Sequence, residues 1–128
     1  MNRGIRYSTA DWILFLNSND ILKNTYSIFN CLKYVSKSYD IIHFNCHVRD
    51  ENIVNVPVRK LPCDPGHLKY WPCIQHQSVI VKSSLLKSLS GFNTSYNILG
   101  DYDFFIKCFN NSKNNTDYQR IVFSWSGL

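Results

Sequence analysis

Asp11-Trp12-Ile13-Leu14-Phe15-Leu16-Asn17-Ser18-Asn19-Asp20 runs five apolar side chains together without a polar break and then stops in four small polar ones. A strand with one wet face alternates, so an unbroken apolar run points to a strand buried on both faces of a largely parallel sheet. The polar tetrad carries side chains that satisfy turn backbone and cap a helix after the turn. A buried strand ending in a polar turn also marks a place for chemistry, because open α/β sheets bind ligands beyond the carboxyl ends of their strands.

Working outward, Ile21, Leu22, Ile28, Leu32 and Val35 approximate helical spacing and predict a helix over residues 21–35. Residues 39–46 (YDIIHFNC) read as a strand, and residues 52–58 (NIVNVPV), with their proline, as an edge strand or extended rim. Pro62, Pro65, Gly66 and Pro72 make residues 61–72 an exposed loop. A second buried strand is expected over residues 78–81, then a helix capped by Ser83 or Ser84 that runs through Leu89 and stops at Gly91. A further helix over residues 101–109, an asparagine-rich turn over 110–115 and a last strand over 120–125 complete the chain. Alternating strands and helices imply an α/β fold, a mixed sheet with flanking helices and strand 12–16 at its centre. Residues 1–128 form a single domain on this reading.

The 128 residues suffice for one real core, and 45% hydrophobic content is ordinary for a globular chain. Lysine and arginine exceed the acids by 14 to 9, but they are scattered, which suits an anionic partner such as a nucleotide or phospholipid surface, or simply a solvated basic surface. No RRM, OB or helix-turn-helix pattern accompanies the charge, so nucleic acid is not an expected partner. No apolar run approaches the ~20 residues of a transmembrane helix, and Met1-Asn2-Arg3-Gly4 lacks a leader's apolar stretch; the expected location is the cytoplasm, including the periphery of the membrane. Five dispersed cysteines, none in a CxxC pair, suit reduced thiols rather than a disulfide framework or a zinc site.

Three polar clusters stand out. Asn17 to Asp20 offers carboxylate and amide oxygens of the kind that hard divalent cations take, and equally a plain capping turn. Gly100-Asp101-Tyr102-Asp103 sits where a helix should begin: its carboxylates suit a general base, and also the helix dipole. His76-Gln77-Ser78 enters a strand, where either long side chain can hydrogen-bond a substrate or serve the structure alone.

The order of these clusters resembles a known family. Met1-Asn2-Arg3-Gly4-Ile5 followed by residues 10–20, His76 to Val81, Gly91-Phe92-Asn93-Thr94-Ser95-Tyr96 and Asp101-Tyr102-Asp103-Phe104 look like four segments of family 2 glycosyltransferases. Those segments read approximately MNKGI with GxWIxFLNSDD, HQSxFV, GGFDxxY and ADYDL.

The resemblance implies a partial GT-A fold, similar to nucleotide-diphospho-sugar transferases, that lacks the opening βαβ unit which holds the nucleotide. It implies transfer of a sugar from a nucleotide-sugar donor to a glycan acceptor hydroxyl in polysaccharide or glycan biosynthesis, with a Mg or Mn ion at the diphosphate. Asp101 falls on the catalytic base; His76, Gln77 and Asp103 fall on substrate-binding positions. Asn19 and Asp20 fall on the metal position and Ser18 on the diphosphate position. Asn19 stands where the family usually has aspartate, so weak cation affinity is expected. Because the resemblance covers only the later part of the family's domain, the alternative is a non-catalytic remnant or interaction fragment of a glycosyltransferase. A protein partner covering the missing half is then expected, because strand 12–16 would otherwise present an open edge.

Overall fold

The computed structural model describes residues 1–22, 26–32, 39–43, 68, 70, 72, 74–112 and 121–123. Helix α1 (Asn2–Tyr7) leads into strand β1 (Trp12–Leu14), and helix α2 (Ser27–Leu32) precedes strand β2 (Ile41–His43). A 3-10 turn (His76–Ser78) enters strand β3 (Val79–Lys82), which passes directly into helix α3 (Ser83–Ser88); helix α4 (Gly100–Ser112) and strand β4 (Ile121–Phe123) come next.

The four strands form one mixed sheet in the order β1-β3-β2-β4. Strand β3 pairs antiparallel with both β1 and β2, and β4 lies parallel to β2. Val81 stands opposite Ile13 on one side and Ile41 on the other, while Ile80 stands opposite Leu14 and Ile42. Since side chains alternate between faces, this register sorts them into two layers. Ile13, Ile41, Val79 and Val81 join the main core beneath Ile5, Leu85, Leu86, Phe104, Phe105 and Cys108, whereas Ile42 and Ile80 pack with Trp12, Leu14 and Tyr39 on the opposite face.

Helix α4 supplies the largest share of the main core. Phe104 and Phe105 are fully buried, and Phe92 lies 5.2 Å from both the Phe15 and the Phe104 ring centroids. Each such phenylalanine contributes roughly 1.5–3 kcal/mol through burial, and an edge-on ring pair adds about 0.5–1.5 kcal/mol. Burial also pushes the Cys108 thiol up to about 12, with the Asp40 carboxylate adding to the effect, so this cysteine stays a protonated core side chain.

The first helix is tied to the far part of the chain. Asn2 Nδ2 donates to the Phe92 carbonyl at 2.7 Å, and the Phe92 N–H donates back to Asn2 Oδ1 at 2.9 Å. The preceding Gly91 has φ +71°, and a Cβ there would stand 2.6 Å from Asn2 Oδ1. Only glycine meets both demands without strain.

Several expectations need correction. Strand β1 is three residues long, half-buried and at the end of the sheet order, not a five-residue central strand buried on both faces. Among the described residues its apolar run finds an antiparallel partner in β3 on one side only, and Leu16 beyond it is exposed. Of the helix expected over residues 21–35, α2 is present; Ile21 and Leu22 precede it and are exposed, and residues 23–25 and 33–38 lie outside the described residues. The Asp20 carboxylate accepts the Asn17 N–H, so the tetrad satisfies its own turn backbone as expected, and residues 23–25 ahead of it lie outside the described residues. Helix α3 has Lys82 as its N-cap without a side-chain bond, so neither Ser83 nor Ser84 caps it; Ser83 Oγ is buried and has no partner among the described residues. Asn110 continues α4 where a turn was expected, and residues 113–115 lie outside the described residues, as do residues 52–58. In the span 61–72 Leu68 is buried rather than exposed, while Tyr70 is exposed as expected.

Candidate functional site

The polar turn after β1 is closed on itself. The Asn17 N–H donates to Asp20 Oδ2 at 2.7 Å, and the Asp20 N–H donates to the Asn17 carbonyl at 3.1 Å. These two bonds place Ser18 and Asn19 at the exposed apex and turn the Asn17 side chain toward the start of β3, where Nδ2 stands 3.4 Å from His76 Nε2.

His76 opens the 3-10 turn, which Ser78 fastens by donating both its N–H (2.9 Å) and its hydroxyl (2.8 Å) to the Gln75 carbonyl. The other ring nitrogen, Nδ1, lies 2.8 Å from Asp101 Oδ2. Asp101 occupies the first turn of α4, and its second oxygen accepts the Tyr102 N–H at 2.9 Å. Tyr102 donates its hydroxyl to the Leu68 carbonyl, which anchors the start of α4 to the preceding segment. The residue before the helix, Leu99, has φ +68°, a conformation that costs a bulky side chain about 1–2 kcal/mol. Its carbonyl accepts the Asp103 N–H at 3.0 Å and so begins the helix.

Three segments distant in sequence therefore meet in one hydrogen-bonded set, Asn17–His76–Asp101, with Asp20 fixing the turn behind Asn17. The side chains of His76 and Asp101 retain 17% and 25% of their exposure, enough for contact with a bound molecule and for partial exclusion of water. Each carboxylate oxygen has two acceptor sites, so Asp101 keeps capacity for a further donor after its bonds to His76 and Tyr102. Such a group can take a proton from a hydroxyl placed against it.

The remaining expected residues lie differently. Asp103 Oδ2 lies 2.6 Å from Lys107 Nζ along its own helix, an i,i+4 ion pair in which that buried oxygen makes no hydrogen bond among the described residues. Gln77 lies next to His76 in the chain, and its Oε1 is buried with no partner among the described residues. Among the described residues no group of three or more His, Cys, Asp or Glu side chains is placed to hold a metal ion. Asn17 was legible only as part of the polar tetrad; its strand-end position was the one signal for its contact with His76.

The chain is similar to the PGL/p-HBAD biosynthesis glycosyltransferases of Mycobacterium bovis (strain BCG / Pasteur 1173P2) and Mycobacterium tuberculosis (strain ATCC 25177 / H37Ra), at 27% identity over 124 residues. The alignment takes in 95% of this chain and 47% of each relative, so the chain spans about half the length of the curated relatives it matches. No family model matches the chain. No solved structure matches it. Among the described residues no helix is long and apolar enough to cross a membrane.

Proposed function

We propose that this chain carries the acceptor side of a glycosyl-transfer site of the GT-A, family 2 kind, acting on a nucleotide-sugar donor with inversion. The observation that carries the reading is the meeting of the β1 turn, His76 and the Asp101 carboxylate in one partly open place. The glycosyltransferase names of the relatives along 95% of the chain add independent support. In the reaction, Asp101 takes the proton of an acceptor hydroxyl. The oxygen's electron pair attacks the anomeric carbon as the bond to the nucleoside diphosphate breaks, and that bond's electrons leave with the diphosphate. His76 donates to the Asp101 carboxylate and holds it in place, and Gln77 next to it in the chain is the second residue assigned to the acceptor side.

Asp20, with the Asn19 side-chain carbonyl and the Ser18 hydroxyl at the exposed turn, fits a Mg or Mn ion shared with the donor's diphosphate, since such ions commonly use one or two carboxylates and complete their shell with phosphate and water. The ion would neutralise charge on the leaving group. With one oxygen of Asp20 already accepting the Asn17 N–H, affinity is weak.

Isothermal titration with manganese and a panel of nucleotide sugars tests the reading. Binding that strengthens severalfold in Asn19→Asp is the expected outcome, and a folded sample that binds neither overturns it. With the chain joined to a nucleotide-binding half, Asp101→Asn is expected to reduce transfer by roughly 10²–10⁴-fold while leaving donor binding intact. A second reading, a non-catalytic piece that docks on an intact transferase, is favoured by the terminal place of β1 in the sheet and by exposed Leu16, Ile21 and Leu22. Co-purification with a full-length relative and no transfer in the joined protein would select it.

A further inference from the structure

We propose that Asn17 is a positioning residue, which selects the Nδ1–H tautomer of His76 and thereby holds Asp101 in its working orientation. A neutral imidazole has one donor nitrogen and one acceptor nitrogen, and the hydrogen bond at one decides the role of the other. At Nδ1 the partner is a carboxylate oxygen, Asp101 Oδ2 at 2.8 Å, which accepts only. At Nε2 the partner is the Asn17 Nδ2 amide at 3.4 Å, which donates only. The two neighbours agree: Nδ1 carries the proton and Nε2 accepts. Free imidazole side chains in water prefer the opposite tautomer, so the arrangement works against an intrinsic preference and needs a donor at Nε2 to maintain it.

Asn17 itself is not free to drift. Its backbone N–H donates to the Asp20 carboxylate at 2.7 Å and its backbone carbonyl accepts the Asp20 N–H at 3.1 Å, which fixes the backbone that carries the amide. The order of bonds is thus Asp20 to Asn17 to His76 to Asp101, running from the polar turn of β1 to the first turn of α4. The inference rests on the proposed transfer reaction only in naming Asp101 the base; the tautomer stands or falls by itself.

Long-range proton–nitrogen correlation spectra of the 128-residue chain, labelled with nitrogen-15 histidine and recorded in mildly alkaline buffer, read the tautomer directly. Substitution His76→Gln identifies the His76 signals among the four histidines. The expected result is a protonated Nδ1 with a bare Nε2. Asn17→Asp keeps shape and suits a turn, but it presents acceptors to Nε2, so the proton should move to Nε2 or both nitrogens should become protonated. A His76 found as the Nε2–H tautomer in the unaltered chain overturns the proposal, as does an Asn17→Asp spectrum unchanged at His76. Should Asn17→Asp fail to fold, Asn17→Ala, which removes the donor at Nε2, takes its place, and an Nδ1–H population unchanged there overturns the proposal. In the joined protein, Asn17→Asp is expected to lower kcat by roughly tenfold with little change in the donor's KM, a part of the roughly 10²–10⁴-fold that a general base supplies. A chain that binds no nucleotide sugar yet shows Nδ1–H sinks the transfer reading and leaves this one intact.

Discussion

Residues 16–32 and residues 74–112 contain similar apolar side chains, yet the first span leaves most of its described ones exposed and the second buries most of its own, Tyr96, Ile98 and Leu99 apart. Ile21 is 81% exposed and Leu22 44%, whereas Ile80 keeps 4% of its exposure and Leu86 none. Hydrophobicity does not separate the two groups; coverage does. Ile80 lies in a strand paired on both sides, and Leu86 in a helix seated under α4 and α1, while Ile21 and Leu22 come after a strand at the end of the sheet order. Apolar residues enter a core only where another layer arrives to meet them. The candidate site lies on the seam between the two regions, with Asn17 contributed by the first and His76 and Asp101 by the second.

The contrast breaks most easily at its strongest point. Phe104→Ala should cost about 3–5 kcal/mol, because it removes a fully buried ring and leaves a cavity among Phe92 and Phe105, while Ile21→Ala should change stability by no more than about 0.5 kcal/mol. Urea unfolding of the two variants checks this, and equal losses would show that Ile21 is covered after all.

A second measurement uses pH. Burial lowers His43, on the core side of β2 opposite Val79, from 6.5 to about 4. Between those values the unfolded chain takes up a proton that the folded chain refuses, so stability falls as pH drops from about 6.5 to about 4 and levels off below. At about 1.36 kcal/mol per pH unit, the loss from this group reaches up to roughly 3 kcal/mol. His43→Gln should flatten the dependence in urea melts across that window, and an unchanged slope would place the imidazole in contact with water.

The smallest effect sharpens the seam. Leu99 sits at φ +68° just before the helix that carries Asp101, and it is half-exposed. Leu99→Gly removes about 1 kcal/mol of backbone strain and loses little packing, so the melting temperature should rise by a few degrees. A fall would mean that the exposed leucine packs more tightly than its surface suggests.

Much of the sheet was legible from pattern. The runs WIL, IIH and VIVK are strands because β-branched and large apolar side chains flanked by polar residues fit a pleated, half-buried surface. The place of β1 in the sheet was not legible, since an unbroken apolar run describes what a strand can tolerate and carries no record of how many neighbours it has. The cap at α3 failed for a related reason. Ser83 has a capping side chain, but it already lies within the first turn of α3. At the site, Asp101 and His76 were identifiable by type and order; their bond to each other, and that of His76 to Asn17, depend on three separate segments arriving together. Asp103 was indistinguishable from Asp101 until Lys107, one turn onward, was seen to hold it.

The two-way bond between Asn2 and Phe92 has a consequence for the order of events during synthesis. A ribosome adds ~5–20 residues per second, so roughly 5–18 s pass between the emergence of α1 and that of its anchor. Strand β1 waits almost as long for β3. The loop-closure entropy must be met before these distant contacts reward it. The run Trp12 to Leu16 is therefore without its β3 partner for that interval, an apolar stretch of the kind that a chaperone for extended hydrophobic chain binds.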